Sequence, residues 1–438
     1  MSEARSRERP PVLAEVVAQH IEEAAALRNN RSVLVRSPAA GLLQLARHDE
    51  RIAAHLDGIR VAGTDGAMLA RAAFDARDVA DAGTTFTLLT GAIERRETAL
   101  VAELLHPPKL APGTARGAAR GAASAAGWVS AADLHGAVAA WFDDRAAAVR
   151  GLALAACALH RVDPGATLTR LVADGDGGVR VRACQAAGEL GRRDLADACL
   201  QALRHAEDAD APVAAMAALL LGDRGKALDR VHALALNAGP QQAAATALTM
   251  LFGDADRGRH LVTALARLPA SAAQRRLLLA ASGWSGDPRV VPWLLQQMDD
   301  APVARLAAEA VGTIAGIDLA AAQAERLERP ARDALMAEAD DNDLALDEDD
   351  ALPWPDPAPL RAWWQREAPR FTPGTRHLLG RPVDKAQLLN VLTHGTQRVR
   401  RQAALLCCAN DPGTPLFNVA APAWRQLRAL RAERPAAA

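Results

Sequence analysis

The chain has 438 residues, in which 51 Lys and Arg nearly balance 52 Asp and Glu, for a formal net charge of -1. That balance excludes a generally basic nucleic-acid binder while leaving a local basic patch open. Tyr is absent, Phe and Trp number six and eight, and Ala and Leu crowd the sequence, so the first expectation is an all-α protein: Ala is the best helix former and a poor strand former.

The opening residues, MSEARSRERPP, mix charges without an apolar centre, which is not the pattern of a signal peptide. No run of about 18 apolar residues lacks charge, so no membrane span is expected. An amphipathic helix is expected from Pro11 to Leu27, with Val12, Val16, Ile21 and Ala24 facing inward. A second starts at Ser37-Pro38 and stops at Asp57-Gly58. His48 and His55 share a face of it with Asp49 close by, but helical metal ligands come at i, i+3 or i+4, so these read as exposed or capping groups. Two or three further helices with Leu88, Leu89, Leu104 and Leu105 in the core complete an N-terminal helical region, residues 1–105. Residues 106–127 hold Pro107, Pro108 and Pro112 and then Gly113, Gly117 and Gly121, four apart. Arg116 and Arg120 spoil any membrane pairing motif, so the stretch reads as a flexible or tightly packed connector.

From Trp128 a rhythm sets in. The turns at His160-Arg-Val-Asp, Gly191-Arg-Arg-Asp, Gly222-Asp-Arg, Gly253-Asp-Ala-Asp, Gly286-Asp-Pro and Gly316-Ile-Asp are separated by 31, 31, 31, 33 and 30 residues. Ala166 to Asp194 is the clearest copy. Leu168, Leu171 and Val172 mark one helix, the Asp174-Gly175-Asp176-Gly177-Gly178 turn stops it, and Val179, Ala183, Ala186 and Leu190 mark a second helix ended by Gly191. Neither helix could bury its apolar face alone, so the units must stack. The turn before the second helix carries Asp, and the helix then carries an early Arg: DDRAAAVR, DGDGGVR and DDAPVAR, ending at Arg150, Arg180 and Arg305. Arg near a helix N-terminus opposes the dipole, so these are read as structural, offset by Asp143, Asp144, Asp174, Asp176, Asp299 and Asp300 in an Asp/Arg ladder between units.

The array runs over residues 128–325 and is followed by an acidic and Pro/Trp-rich linker, residues 326–359. In it, Glu338 to Asp350 holds eight acidic residues in thirteen, without the Gly and Glu spacing of a calcium loop. Leu352-Pro-Trp-Pro-Asp-Pro then reads as extended, with Trp354 docked against the helices. A C-terminal helical region, residues 360–438, contains one more copy at 384–417, with Val399-Arg400 and an Ala-rich helix. The five cysteines are odd in number and show no CxxC; Cys157, Cys184 and Cys199 fall in apolar helical runs, as reduced thiols in the cytoplasm would.

The pattern L-x-x-L-x-D-x-D-x-x-V-R, followed by an Ala-rich helix and Gly, resembles the HEAT repeat in its short bacterial form, related to the phycobilisome-lyase type. The resemblance implies an α-solenoid of HEAT-like two-helix repeats with an N-terminal helical cap. Together, HDERIAAHLDGIRVAG, LPWPDP and HGTQRVRRQAA resemble a bacterial family of HEAT-repeat proteins, some associated with type VI secretion. Enzymes of HEAT-like fold need features this chain lacks. No His is followed by Glu as in the metal-dependent hydroxylases, and a DNA-glycosylase type would need more aromatics on a basic face, although Arg275, Arg276, Trp284 and Trp293 lie in one neighbourhood. Nothing points to a bilin, and there is no GxSxG or nucleotide loop. The expectation is a non-catalytic protein-binding scaffold with no cofactor and no metal, a protein partner and no membrane. Arg182, Gln185, Arg275, Arg276, Trp284 and Trp354 are its candidate partner-binding residues. The alternative is a nucleic-acid or phosphate binder using Arg150, Arg180, Arg182, Arg276, Arg305, Arg400 and Arg401.

Overall fold

Helices built from Ala and Leu must approach closely to exclude water, because their side chains are short. The computed structural model describes residues 12–77, 81–106, 112–268, 271–326, 349 and 351–433, and these are helical almost throughout. Turns and loops join the helices, and the described residues form one pair of two-residue antiparallel strands, β1 (His377–Leu378) and β2 (Arg381–Pro382). By packing, the chain forms two compact units. One holds residues 1–35, 43–160 and 420–426, and the other holds 36–42, 161–419 and 427–438.

The first unit contains α1 (Ala14–Leu34), α2 (Leu42–Val61), α3 (Gly63–Asp75), α4 (Ala82–Glu94), α5 (Thr98–Leu105), α6 (Pro112–Trp128), α7 (Ala137–Phe142) and α8 (Ala147–His160). Helix α4 is its centre. Asp81 caps it by accepting from the Gly83 and Thr84 amides at 2.6 and 3.0 Å, and α1, α3, α5 and α6 pack around it. The expected connector is therefore a helix, α6, over the part that is described; Pro107 and Pro108 lie outside the described residues. Its glycine spacing has a packing cause, since a Cβ on Gly121 would lie 2.5 Å from the Thr85 Cβ and 2.8 Å from the Ala82 carbonyl oxygen. Helix α1 turns Val17, Ile21 and Ala24 inward, so Ile21 and Ala24 lie as expected, while Val12 and Val16 are exposed. Helix α2 runs through Asp57-Gly58 to Val61, because Gly58 is needed there for closeness: a Cβ would meet the His20 ring at 2.6 Å. Residues 420–426 belong to this unit through Asp49, which is fully buried, pairs with Arg31 at 2.6 Å and accepts from the Ala423 amide at 2.7 Å. Arg425 also donates to the carbonyls of Gly127 and Trp128 at 2.6 and 2.9 Å.

The second unit carries helix pairs in sequence: α9 (Ala166–Leu171) with α10 (Gly177–Leu190), α11 (Ala196–His205) with α12 (Ala211–Leu220), α13 (Lys226–Ala235) with α14 (Gln242–Phe252), α15 (Ala255–Leu265) with α16 (Ala272–Ser285), and α17 (Val291–Gln297) with α18 (Ala301–Ala315). The second helix of each pair packs on the next, α10 on α12, α12 on α14, α14 on α16 and α16 on α18. Leu168, Leu171, Val179, Ala183 and Ala186 are buried, as their spacing requires. Cys157 in the first unit and Cys184 and Cys199 in the second are buried thiols.

After α19 (Pro357–Glu367), which packs on α17, the second unit continues through β1 and β2 to the helix pair α20 (Lys385–His394) and α21 (Gln397–Asn410); α22 (Ala423–Ala432) closes the described chain. The C-terminal segment runs along the ends of the second helices. The amides of Leu379 and Gly380 donate to the carbonyls of Thr313 and Ile314, that of Gly413 to Leu220, and that of Leu416 to Glu189. Arg376 reaches the Met250 and Leu251 carbonyls at 2.6 and 3.0 Å. These are the last carbonyls of α18, α12, α10 and α14, which a helix leaves without a partner of its own. The glycines that end the second helices therefore do two jobs. Gly316 has a φ of +70°, and a Cβ there would lie 2.5 Å from the Leu379 carbonyl carbon. Helix α21 itself lies against α12 and α14.

Candidate functional site

The early arginines of the second helices do not all behave alike. Arg150 donates to the carbonyls of Asp144 and Arg145 at 2.9 and 3.1 Å, and Arg180 to those of Asp174 and Gly175 at 2.7 and 3.0 Å. Each guanidinium thus folds back over the turn before its own helix and stiffens it. Bridging pairs do occur: the expected Asp300 pairs with Arg275 of the preceding unit at 2.7 Å, and further pairs join Arg192 to Asp163 at 2.9 Å and Arg257 to Asp229 at 2.8 Å. Arg400 is wholly buried, donating to the Leu392 carbonyl and to Gln397.

Arg305, in the first turns of α18, takes another partner. Its Nη1 donates to the carbonyl of Asp349 at 2.7 Å, and its guanidinium carbon stands 4.6 Å from the centre of the Trp354 ring. Arg276, in the first turns of α16, donates from two nitrogens to the Asp349 carboxylate, at 2.5 and 3.0 Å. This is the planar fork that a guanidinium makes with a carboxylate and an ammonium cannot. Asp349 is 2% exposed, so its charge is withdrawn from water and matched by these donors.

After a turn closed on Asp349, residues 353–356 run against residues 324–326 in a single antiparallel bridge. The Leu352 amide turns back to the Asp349 carbonyl at 2.8 Å. The Trp354 carbonyl accepts from the Arg326 amide at 2.8 Å, and the Asp356 amide donates to the Ala324 carbonyl at 2.7 Å. Pro353 and Pro355 have no N–H to offer, so these bonds are the pairing that the LPWPDP sequence permits. Leu352 and Trp354 are both buried, each 8% exposed. One turn along α18, the half-buried Glu309 pairs with Arg398 of α21 at 2.8 Å. Burial pushes its carboxyl above the usual range, against the opposing pull of Arg398.

The structure thus joins two of the candidate residues, Arg276 and Trp354, through Asp349 and Arg305. It does not join the others to them. Arg275 pairs with Asp300 at 2.7 Å. Trp284 is half-buried on α16. Arg182 and Gln185 form their own chain on α10, Arg182 to Gln185 at 3.0 Å and Gln185 to Glu189 at 2.8 Å. Asp349 and Glu309 were missed as site residues, and Arg305 was named only for the nucleic-acid alternative. Of the acidic run, residues 338–348 and 350 lie outside the described residues, so Asp349 alone shows what it does. The available signal was the conjunction of an acidic run with a buried-type aromatic immediately after it, opposite helices that begin with Arg.

Among the described residues, no group of three or more His, Cys, Asp and Glu side chains could hold a metal. His48 donates from Nε2 to the Leu27 carbonyl at 2.8 Å, and His55 faces His20, Nδ1 to Nδ1, at 3.0 Å. A cleft of about 480 Å³ lies beside α15, lined by Asp254, Arg259, Asp287, Thr375, Arg376 and Asn410 among others. Its most buried cation, Arg376, is already bonded to main-chain carbonyls, so it braces the fold there. Among the described residues no helix is long and apolar enough to cross a membrane. No protein-family model, curated protein or solved structure matches the chain.

Proposed function

We propose that this chain is a non-catalytic protein-binding scaffold, an α-solenoid of HEAT-like two-helix repeats with an N-terminal helical cap, whose second helices present the binding face. The successive packing of α10, α12, α14, α16 and α18 supports the solenoid reading. One observation carries the binding role: the helices already hold an extended segment, Asp349 in the fork of Arg276 and Trp354 under Arg305. Gripping an extended strand through a charge clamp and an aromatic contact is how a surface built of helices binds a peptide. The nucleic-acid reading relies on the same arginines, and Arg150, Arg180, Arg276, Arg305 and Arg400 are each bonded to groups of the chain itself.

Affinity capture from a lysate of the source organism tests the role, with wild-type chain and Arg276→Ala chain compared side by side. The expected result is a specific protein enriched by one and altered at least several-fold by the other. Identical profiles with no specific protein, together with turnover of any substrate, would contradict it.

A further inference from the structure

Building on the scaffold reading, we infer that Arg276 and Arg305 form a recognition site for an extended acidic peptide bearing an aromatic residue five positions after its anchoring carboxylate, and that Asp349 and Trp354 are its resident, self-supplied ligand. The site has the parts of a peptide-binding site rather than of a simple clasp. Arg276 supplies a two-pronged contact that reads a carboxylate, and Arg305 reads both the following main chain and an aromatic face. Residues 324–326 read backbone through the Arg326 amide and the Ala324 carbonyl, which is sequence-independent pairing of the kind any added strand could make. The carboxylate is buried, yet the Arg276 side chain that holds it is 34% exposed, so the clamp stands at a rim that an incoming strand can reach.

The contrast with the other repeats strengthens the assignment. Arg150 and Arg180 donate to carbonyls of the turn before their own helix. At the equivalent turn before α18, Arg361 of α19 donates to the Leu295 carbonyl and to Asp299. Arg305 donates to the Asp349 carbonyl and stands over the Trp354 ring. Because the resident segment is tethered to the site, it competes at a high effective concentration, and an external peptide must displace it. The site is thus both a recognition surface and its own brake.

The test uses the full chain and a fluorescently labelled peptide with the sequence of residues 347–357, DEDDALPWPDP. The double variant Asp349→Ala/Trp354→Ala empties the site. It is expected to bind the peptide at least about tenfold more tightly than wild type, the gain that removing a tethered competitor gives. Adding Arg276→Ala should abolish that gain, and a peptide with Asn in place of Asp349 and Ala in place of Trp354 should not bind. Circular dichroism checks that the double variant keeps its helices; if it does not, the same comparison is read on Asp349→Asn, which keeps the Trp354 contact. Equal binding by emptied and wild-type chains, indifference to Arg276→Ala, or binding of labelled single-stranded DNA in place of the peptide would overturn the inference. The capture comparison reads separately. A specific partner with no peptide binding keeps the scaffold and removes this recognition rule, and peptide binding with no partner does the reverse.

Discussion

Arg150, Arg180 and Arg305 occupy one position in the repeat and reach different partners, and that difference is where function separates from structure. At the level of single residues, the sequence showed the type and spacing of these side chains but not the atom each would find. Carbonyls carry no sequence signature, so the backbone clamps of Arg150 and Arg180 were invisible, and an inter-unit Asp ladder was the natural guess. Trp354 was legible as docked, because an aromatic between prolines is costly to expose. Asp349 was not, since one carboxylate in a run of eight acidic residues has no distinguishing mark. His55 shows the same limit: its partner, His20, comes from another helix. Burial, then His20 and Arg51, pull the His55 pKa below its ordinary value of 6.5, against a smaller opposing effect of Glu23. A base depressed by folding binds its proton more readily when unfolded, so stability is full above the ordinary value and is lost as pH falls through it toward the folded one. The thermal midpoint of wild type is therefore expected to fall between pH of about 7 and about 5.5, with a shallower fall in His55→Gln. An equal slope in the two proteins would show that the His20–His55 contact does not titrate with folding.

Elements were more legible than residues where periodicity governs them. The pairs from α9 to α18 follow from apolar spacing and from turns recurring near 31 residues. Helix α6 was missed because Ala, Gly and Arg without large apolar residues give no periodic signal, although Gly121 needs a helix there to meet Thr85. The strands β1 and β2 were missed because they are too short to alternate. The glycines ending the second helices were read as helix caps, which explains their φ but not their second constraint. At Gly316 the backbone of Leu379 and Gly380 presses against the position a side chain would fill. Gly316→Ala is expected to cost at least about 1–2 kcal/mol from the left-handed conformation alone. It should lower the thermal midpoint and speed amide exchange at Leu379 and Gly380, whose N–H groups bond to Thr313 and Ile314. An unchanged midpoint would mean that the C-terminal segment does not close on that turn.

For the whole molecule, composition settled the class and left the assembly open. Ala richness and the absence of Tyr pointed to helices, and the described chain is nearly all helix. The assignment of residues 420–426 to the unit containing the N-terminal helices, and of 371–419 to the unit containing α9 to α18, rests on contacts between residues hundreds of positions apart. Local patterns do not encode such contacts. The near-zero net charge agrees with arginines that are paired within the chain, and it leads to an expectation for the competing reading: no DNA binding at low salt whose affinity falls steeply as salt is added. Such binding, if lost in Arg276→Ala/Arg305→Ala, would move the function to nucleic acid.

Hydrogen–deuterium exchange across residues 324–326 and 352–356 tests the central claim most directly, since the claim is that the second helices hold this segment as an extended strand. The account predicts protected amides at Arg326 and Asp356 in the wild type, with protection lost in Arg276→Ala/Arg305→Ala while the interiors of α16 and α18 stay protected. Exchange of Arg326 and Asp356 at unprotected rates in the wild type would contradict it.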